Sequence, residues 1–309
     1  MDFRQLEYVI TIAREHTLLS ASEKLFLSPS ALSQHISKLE EELHTPLFKR
    51  TKQGWTPTHA GQVYIDMAQT ILQSQKNAYL QIGDIADNKI GHFTVGITPG
   101  RGTQMFSTIF PKFRDKYPDV KISLFEGSVQ ENNEKINLGK VDIGFLTSGF
   151  NHPNIVTRTQ LTEEILLVVP RNHPLSYLAD TVPEGEFATV ALKEFENDEF
   201  LLAGEGTTLR KLENKLCAKA GFSPKISFET PSVATLNMLS KGGYGISFLP
   251  RFYATETKDA VYFKTEPAAS WDLIAAYRKD HYVTKAEEYM ISLATEYYTK
   301  PNETALQIP

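Results

Sequence analysis

With 309 residues, 41% of them hydrophobic and 22% charged, the chain has an ordinary globular composition and is long enough for two or three folding units. Its single cysteine, Cys217, excludes an internal disulfide and any zinc site built from several thiolates. No apolar run approaches the roughly 20 residues that span a bilayer, and Met1-Asp2-Phe3-Arg4 lacks the basic-then-apolar pattern of a signal peptide, so a cytoplasmic protein with no membrane partner is expected. The net charge is -5, and the acidic and basic residues of positions 1–60 balance, so any nucleic-acid contact must come from where charges sit and not from their sum.

Leu6, Val9, Ile10 and Ala13 mark one face of a first helix within Phe3 to Arg14. Thr17-Leu18 interrupts the pattern, and Ser20 is expected to cap a short second helix containing Ala21, Leu25 and Phe26. Ser28 followed by Pro29 is a start signal for a third helix, whose apolar stripe is Ala31, Leu32, Ile36, Leu39 and Leu43 and whose polar face is Ser30, Ser33, Gln34, Ser37 and Lys38. Two short helices joined by about three residues form a helix-turn-helix. A Gln can pair with adenine, a Ser can donate to or accept from base edges, and the free N–H groups at the start of the third helix, near Ser28, suit a phosphate. The acidic run Glu40-Glu41-Glu42 is expected to turn away from DNA. Gly54 permits a hairpin tip, so residues 46–58 read as a wing, with Lys49, Arg50 and Lys52 for phosphates or the minor groove.

These segments carry a specific resemblance. Phe3-Arg4-Gln5-Leu6-Glu7-Tyr8-Val9, the stretch Ala21-Ser22-Glu23-Lys24-Leu25-Phe26-Leu27-Ser28-Pro29-Ser30-Ala31-Leu32-Ser33-Gln34-His35-Ile36-Ser37-Lys38-Leu39-Glu40, Leu47-Phe48-Lys49-Arg50 and Thr56-Pro57-Thr58-His59-Ala60-Gly61 are similar to the LysR-type transcriptional regulators. The resemblance implies that Ser30, Ser33, Gln34 and Lys38 face the major groove, with Arg50 on the wing. The family often has Gln-Pro after the capping Ser; this chain has Pro29-Ser30, so a glutamine base contact is absent at that point.

Thr58 is expected to cap a helix running to about Lys89, with Gly91 as its stop. Tyr64, Met67, Ile71, Ser74, Ala78, Ile82 and Ile85 recur every three or four residues as a coiled-coil-like seam. That stripe needs a partner: a second copy of the helix, which lets two recognition helices read a palindromic operator, or the chain's own C-terminal domain. The resemblance favours a homodimer and implies a homotetramer, with RNA polymerase as a further partner.

From His92 strands and helices alternate: strands over His92–Thr98, Val120–Phe125, Val141–Leu146 and Glu164–Val169, with helices over Gly102–Tyr117 and Val129–Leu138 between them. Further strands fall at Phe200–Leu202, Lys225–Phe228, Gly245–Pro250 and Trp271–Tyr277, and further helices at Thr208–Lys219, Val233–Lys241 and Tyr282–Tyr298. This grammar predicts a mostly parallel sheet covered on both faces. Two α/β lobes joined by crossings near Leu161-Thr162 and Lys264-Thr265 account for it. The expected organisation is a winged helix-turn-helix over 1–60, a linker helix over 61–91 and an effector domain over 92–309. Within that domain, lobe I takes 92–161 with 266–300 and lobe II takes 162–265. It resembles the family's effector domain, of the periplasmic-binding-protein type.

Ligands of open α/β sheets bind beyond the C-terminal strand ends. Those ends carry Thr98, Gly100, Arg101, Gly102 and Thr103, then Thr147 and Ser148, then Gly206 and Thr207. Hydroxyls, free amides and Arg101 together suit an anionic effector, a carboxylate or an amino acid; the same residues could also be plain helix caps and a solvated arginine. Glu205 beside them would repel an anion unless it points outward or meets a ligand amine. The chain lacks His-Glu-x-x-His, Gly-x-Ser-x-Gly and the phosphate-loop signature, so no enzyme, metal or cofactor is expected. Cys217, beside Leu216, is expected to be a packing residue. A ligand-responsive, DNA-binding transcription regulator is the leading reading. A small-molecule binding protein or enzyme using the N-terminal unit for assembly, and an effector-independent repressor, stay open at this point.

Overall fold

The structure, a computed structural model, describes residues 2–51, 54–86, 90–150, 152–183, 185–255 and 257–299. The chain divides into two compact units, Met1–Asp87 with Asp280–Tyr282, and Asn88–Lys279 with Val283–Pro309. Among the described residues no helix is long and apolar enough to cross a membrane.

The first unit contains α1 (Phe3–Glu15), α2 (Leu18–Lys24), α3 (Pro29–Glu42), the hairpin β1 (Phe48–Thr51) and β2 (Gly54–Pro57), and α4 (His59–Ile85). Each helix starts where a side chain satisfies a free amide. Asp2 and Gln5 form a capping box on α1, Ser28 caps α3 with Pro29 in its first turn, and Thr58 caps α4. The cap of α2 differs from expectation. Thr17 accepts from the Ser20 amide at 3.2 Å, while the Ser20 hydroxyl donates to Glu15 at 2.8 Å, so the helix begins a turn earlier than a Ser20 cap allows. Leu32, Ile36 and Leu39 of α3 are buried with Leu6, Val9 and Ile12 of α1 in one core.

Helix α4 ends at Ile85, and Gly91 opens a strand instead of stopping the helix; the expected end near Lys89 lies outside the described residues. The expected seam on α4 divides. Tyr64 joins the unit's own core together with Ile65 and Ala68, whereas Met67, Ile82 and Ile85 are exposed.

The second unit contains β3 (Gly91–Ile97), α5 (Arg101–Lys116), β4 (Val120–Glu126), α6 (Val129–Asn137), β5 (Ile143–Thr147), β6 (Ile155–Pro170), β7 (Thr189–Ala191), β8 (Glu199–Ala203), α7 (Thr208–Lys219), β9 (Lys225–Thr230), α8 (Val233–Lys241), β10 (Ser247–Pro250), β11 (Ala260–Glu266), β12 (Ser270–Arg278) and α9 (Lys285–Thr299). The main sheet is ordered β4-β3-β5-β12-β6-β11-β7, with β10 also on β6. It is mixed, not mostly parallel: β3 pairs parallel with β4 and β5, but β6 pairs antiparallel with β12, β10 and β11.

One sheet connects both lobes through β6. Residues 155–164 of that strand pair with β12, and 165–170 pair with β10 and β11, so the crossing expected near Leu161-Thr162 is unbroken strand. The two largest of this unit's three cores support two lobes. One gathers Val95, Ile97, Met105, Ile109 and Phe113 with Met290 of α9; the other gathers Ile165–Val169 with Phe200, Leu209, Leu236 and Phe248.

Candidate functional site: an interface helix and an interlobe cleft

Helix α3 is two-sided. Leu32 and Ile36 are fully buried, while Ser28, Ser30, Gln34 and Lys38 are exposed and Ser33 and Ser37 half-buried along the opposite side. Lys49 and Arg50 project from β1, and Lys52 lies outside the described residues.

Arg50 is not a free cation. Its guanidinium donates to Glu40 at 2.8 Å and to Ser37 at 3.2 Å, and lies 4.4 Å from the centre of the Trp55 ring. Of the acidic run, Glu40 faces the wing and takes the Leu47 and Phe48 amides at 2.7 and 3.1 Å. A single carboxylate therefore fixes the wing to the recognition helix. A clue in the sequence was the spacing of Glu40 ahead of Leu47-Phe48-Lys49-Arg50, a pairing that counting charges does not show.

Replacing Glu40 with Ala strands two amide donors and an arginine, each stranded buried donor costing about 1–3 kcal/mol. The expected loss is about 2–4 kcal/mol, read as a lower unfolding midpoint of Trp55 emission. Glu40→Gln, which keeps an acceptor for the amides, is expected to lose less.

In the second unit, a cavity of about 400 Å³ opens between the lobes, beyond the C-terminal ends of β3, β5 and β8. Thr98, Arg101, Gly102, Thr147, Gly206 and Thr207 line it. Gly100, Thr103 and Ser148 do not. Thr103 turns to Glu126 at 3.0 Å, and Ser148 accepts from the Asp272 amide at 3.0 Å. Gly100 (φ 77) forms the turn into α5 and offers no capping side chain. The first amides of α5 therefore have no side-chain cap, whereas α6 and α7 are capped by Ser128 and Thr207.

Most of the remaining wall is apolar or aromatic, including Phe145, Phe150, Tyr253, Trp271 and Tyr298. Sequence reading missed this part, because these side chains come from scattered loops and strands and share no motif. Burial pushes the phenols of Tyr253 and Tyr298 above the ordinary tyrosine range, so both stay neutral at physiological pH.

Charges on the wall are already compensated. Arg101 donates through Nη1 to Glu163, with its guanidinium 4.5 Å from the Phe252 ring and 5.3 Å from that of Tyr298. Glu205 keeps a largely exposed side chain, 3.4 Å from Arg210. It lines the cavity as well, and Arg210 is the cation beside it that offsets its charge. Cys217 is buried against the second lobe's core, and burial pushes its thiol up to about 12, so it carries no thiolate chemistry.

Comparison with known proteins decides the family. Residues 3–62 match the model of the "bacterial regulatory helix-turn-helix protein, lysR family", and residues 86–298 match the "LysR substrate binding domain". The chain belongs to the LysR family of transcriptional regulators. Among relatives of this LysR-family chain, the transcriptional dual regulator GltC of Bacillus subtilis (strain 168) is 30% identical over 258 residues, covering 83% of each chain. The uncharacterized HTH-type transcriptional regulator YcgK of the same organism is 28% identical over 307 residues, covering 96% of this chain and 94% of the relative.

A full-length OxyR variant from Pseudomonas aeruginosa shares the fold with a TM-score of 0.67 at 21% identity, covering 96% of this chain and 94% of its own. Full-length BenM does so with a TM-score of 0.56 at 21% identity, covering 96% of each. A regulatory, non-catalytic role follows from membership in the family: the LysR-family chain binds DNA through its first unit and carries an effector-binding domain in its second.

Proposed function

We propose that this LysR-family regulator reads a palindromic operator as a homodimer, assembled further into a homotetramer, and that a small anionic molecule bound between the lobes alters its output. Ser28, Ser30, Ser33, Gln34, Ser37 and Lys38 meet the duplex from α3, with Lys49 on the wing reaching phosphate. Arg50 positions the wing and touches the backbone only with what its contact to Glu40 leaves free. The observation that carries the DNA side of this reading is the two-sidedness of α3: its apolar stripe is spent on the core, so the hydroxyl-and-amide side is left for a groove.

Pairing of two copies is supported by the exposed apolar side chains Val63, Met67, Tyr79, Ile82 and Ile85 on α4, which a second α4 would cover. In this reading residues 61–91 serve as the dimerising segment between a DNA-binding domain (1–60) and an effector domain (92–309). For the effector, Thr98 and Thr147 and the uncapped start of α5 supply neutral donors, which suits one carboxylate on a compact body, including that of an amino acid; Thr207 lines the wall beside them with its hydroxyl donating to Gly204 and accepting from Arg210. Effector binding shifts the population between two lobe angles, and with it the spacing of recognition helices and the contact with RNA polymerase.

The test is footprinting of genomic fragments with the parent chain and Gln34→Ala. Gln34 is exposed, so the substitution is expected to leave stability within about 0.5 kcal/mol and to cost about 1–3 kcal/mol of specific affinity. Protection over two half-sites spaced by a helical turn or a multiple of it is the expected pattern. Equal protection by both proteins, or none at any site, would defeat the reading.

A further inference from the structure

Glu163 sits in β6 where the strand passes from one lobe to the other, and its side chain is only 4% exposed. Three elements converge on it. Arg101, the first residue of α5 in lobe I, donates through Nη1 to Oε2. The Trp271 indole N–H on β12 donates to the same oxygen at 2.9 Å, and the Phe252 amide, in the short turn after β10 in lobe II, donates to Oε1 at 3.0 Å. The carboxylate therefore ties α5 of one lobe to the turn of the other.

The tie is unequal on its two sides. Glu163 would keep two neutral donors if Arg101 left, so its charge would remain hydrogen-bonded. Arg101, by contrast, is poorly served where it is. Its Nε–H is buried without an acceptor, although a guanidinium can offer a carboxylate two parallel N–H groups from one edge. The same side chain lines the cleft and is 12% exposed.

We propose that Arg101 is an exchangeable latch: a ligand carboxylate entering the cleft takes its guanidinium from Glu163, satisfies the stranded edge, and so unties the two lobes. This deepens the effector reading above and rests on the cleft being the effector site. It names the mode of regulation. The ligand is a monocarboxylate, because among the described residues the cleft wall carries Arg101 as its one cation and also the carboxylate of Glu205, which leaves nothing to balance a second charge. Its body is compact and apolar enough for the aromatic wall. Binding is signalled by the loss of an internal ion pair that spans the lobes, so a neutral isostere that fits the same space leaves the latch closed.

The chain supplies its own reporter. It has two tryptophans, Trp55 and Trp271, and Trp271 donates directly to the latch carboxylate. In full-length protein carrying Trp55→Phe, phenylacetate and its neutral isostere phenylacetamide are titrated by calorimetry and by Trp271 emission. The acid is expected to bind more tightly than the amide and to shift the emission; the amide is expected to leave it in place. With Glu163→Gln added, no carboxylate competes for Arg101. Acid affinity then rises at least tenfold while amide affinity stays within twofold.

Arg101→Lys serves as the second variant, because a lysine keeps a point charge for Glu163 and the fold with it but has no side-on edge. It is expected to bring acid affinity down to that of the amide. Equal acid affinity with and without Glu163→Gln, no saturable acid binding to the Glu163→Gln protein, or undiminished acid preference in Arg101→Lys would each overturn the latch. Footprinting of the same proteins without ligand judges the DNA reading separately, since the acid-to-amide ratio does not depend on it.

Discussion

Replacing Glu213 with Gln is expected to stabilise the C-terminal unit at pH 8 and above, and to remove a steep loss of stability that the parent shows between about pH 4.5 and pH 8. Glu213 lies on α7, fully buried, and accepts the Ala203 amide at 3.0 Å. Burial pushes its carboxyl up to about 8, an effect only partly offset by the Ala203 amide and by Arg210. Between pH 4.5 and 8 the native chain keeps a proton that the unfolded chain has released. Stability then falls with rising pH by about 1.4 kcal/mol per unit.

The contribution is complete below the unfolded value of 4.5 and gone above 8, roughly 5 kcal/mol in all for a group acting alone. A glutamine keeps an acceptor for the Ala203 amide and has no proton to lose. The measurement is the difference between parent and variant in unfolding midpoint, followed by Trp271 emission across pH 4 to 9. That difference cancels every other titrating group. A flat difference would show that Glu213 is ionised in the folded state, with Arg210 holding its charge despite the burial. The position matters for the cleft because Ala203, gripped by Glu213 at its amide and by Arg210 at its carbonyl, is part of the cavity wall.

How much of this was legible beforehand depends on how local each signal is. The starts of α3 and α7 were readable because Ser28-Pro29 and Thr207-Thr208 are caps whose partners sit within a turn. The start of α2 was not, because Thr17 and Ser20 are both hydroxyls and only the fold shows that Ser20 is taken by Glu15. The first half of β6 was missed because Thr157, Arg158 and Thr159 are exposed, so the run carries no apolar signature, although it pairs with β12 along its length.

The same rule applies to the cleft. Hydroxyl-rich turns pointed to its location, since strand ends and helix starts are local features. The pairing of Arg101 with Glu163, of Thr103 with Glu126 and of Ser148 with Asp272 joins residues far apart in the chain. No spacing rule reaches that far, so a motif can find the mouth of the site without telling which of its groups are already engaged.

Gly61→Ala is expected to destabilise the DNA-binding unit by about 3 kcal/mol or more and to abolish protection of the operator, although a helical Gly→Ala change would ordinarily stabilise by about 0.8–1 kcal/mol. The reversed sign comes from a close approach. Gly61 lies in the first turn of α4, and a Cβ there would sit 1.9 Å from the Leu47 carbonyl oxygen. That oxygen cannot retreat freely, because it accepts from the Thr58 amide at 2.8 Å, while the Leu47 amide donates to Glu40 at 2.7 Å. Leu47 is thus held by α3 on one side and by the start of α4 on the other, with its side chain buried in the core. An added methyl must push this peptide away, breaking the Thr58 bond, tilting the wing and disturbing the Glu40 grip on it together. Overpacking alone costs about 1–3 kcal/mol, and a stranded buried amide adds about 1–3 kcal/mol more. Thermal unfolding followed by Trp55 emission, beside operator footprinting, reads both effects. An unfolding midpoint equal to or above that of the parent would mean that Gly61 serves only helix flexibility, and that the wing and recognition helix are not joined through Leu47.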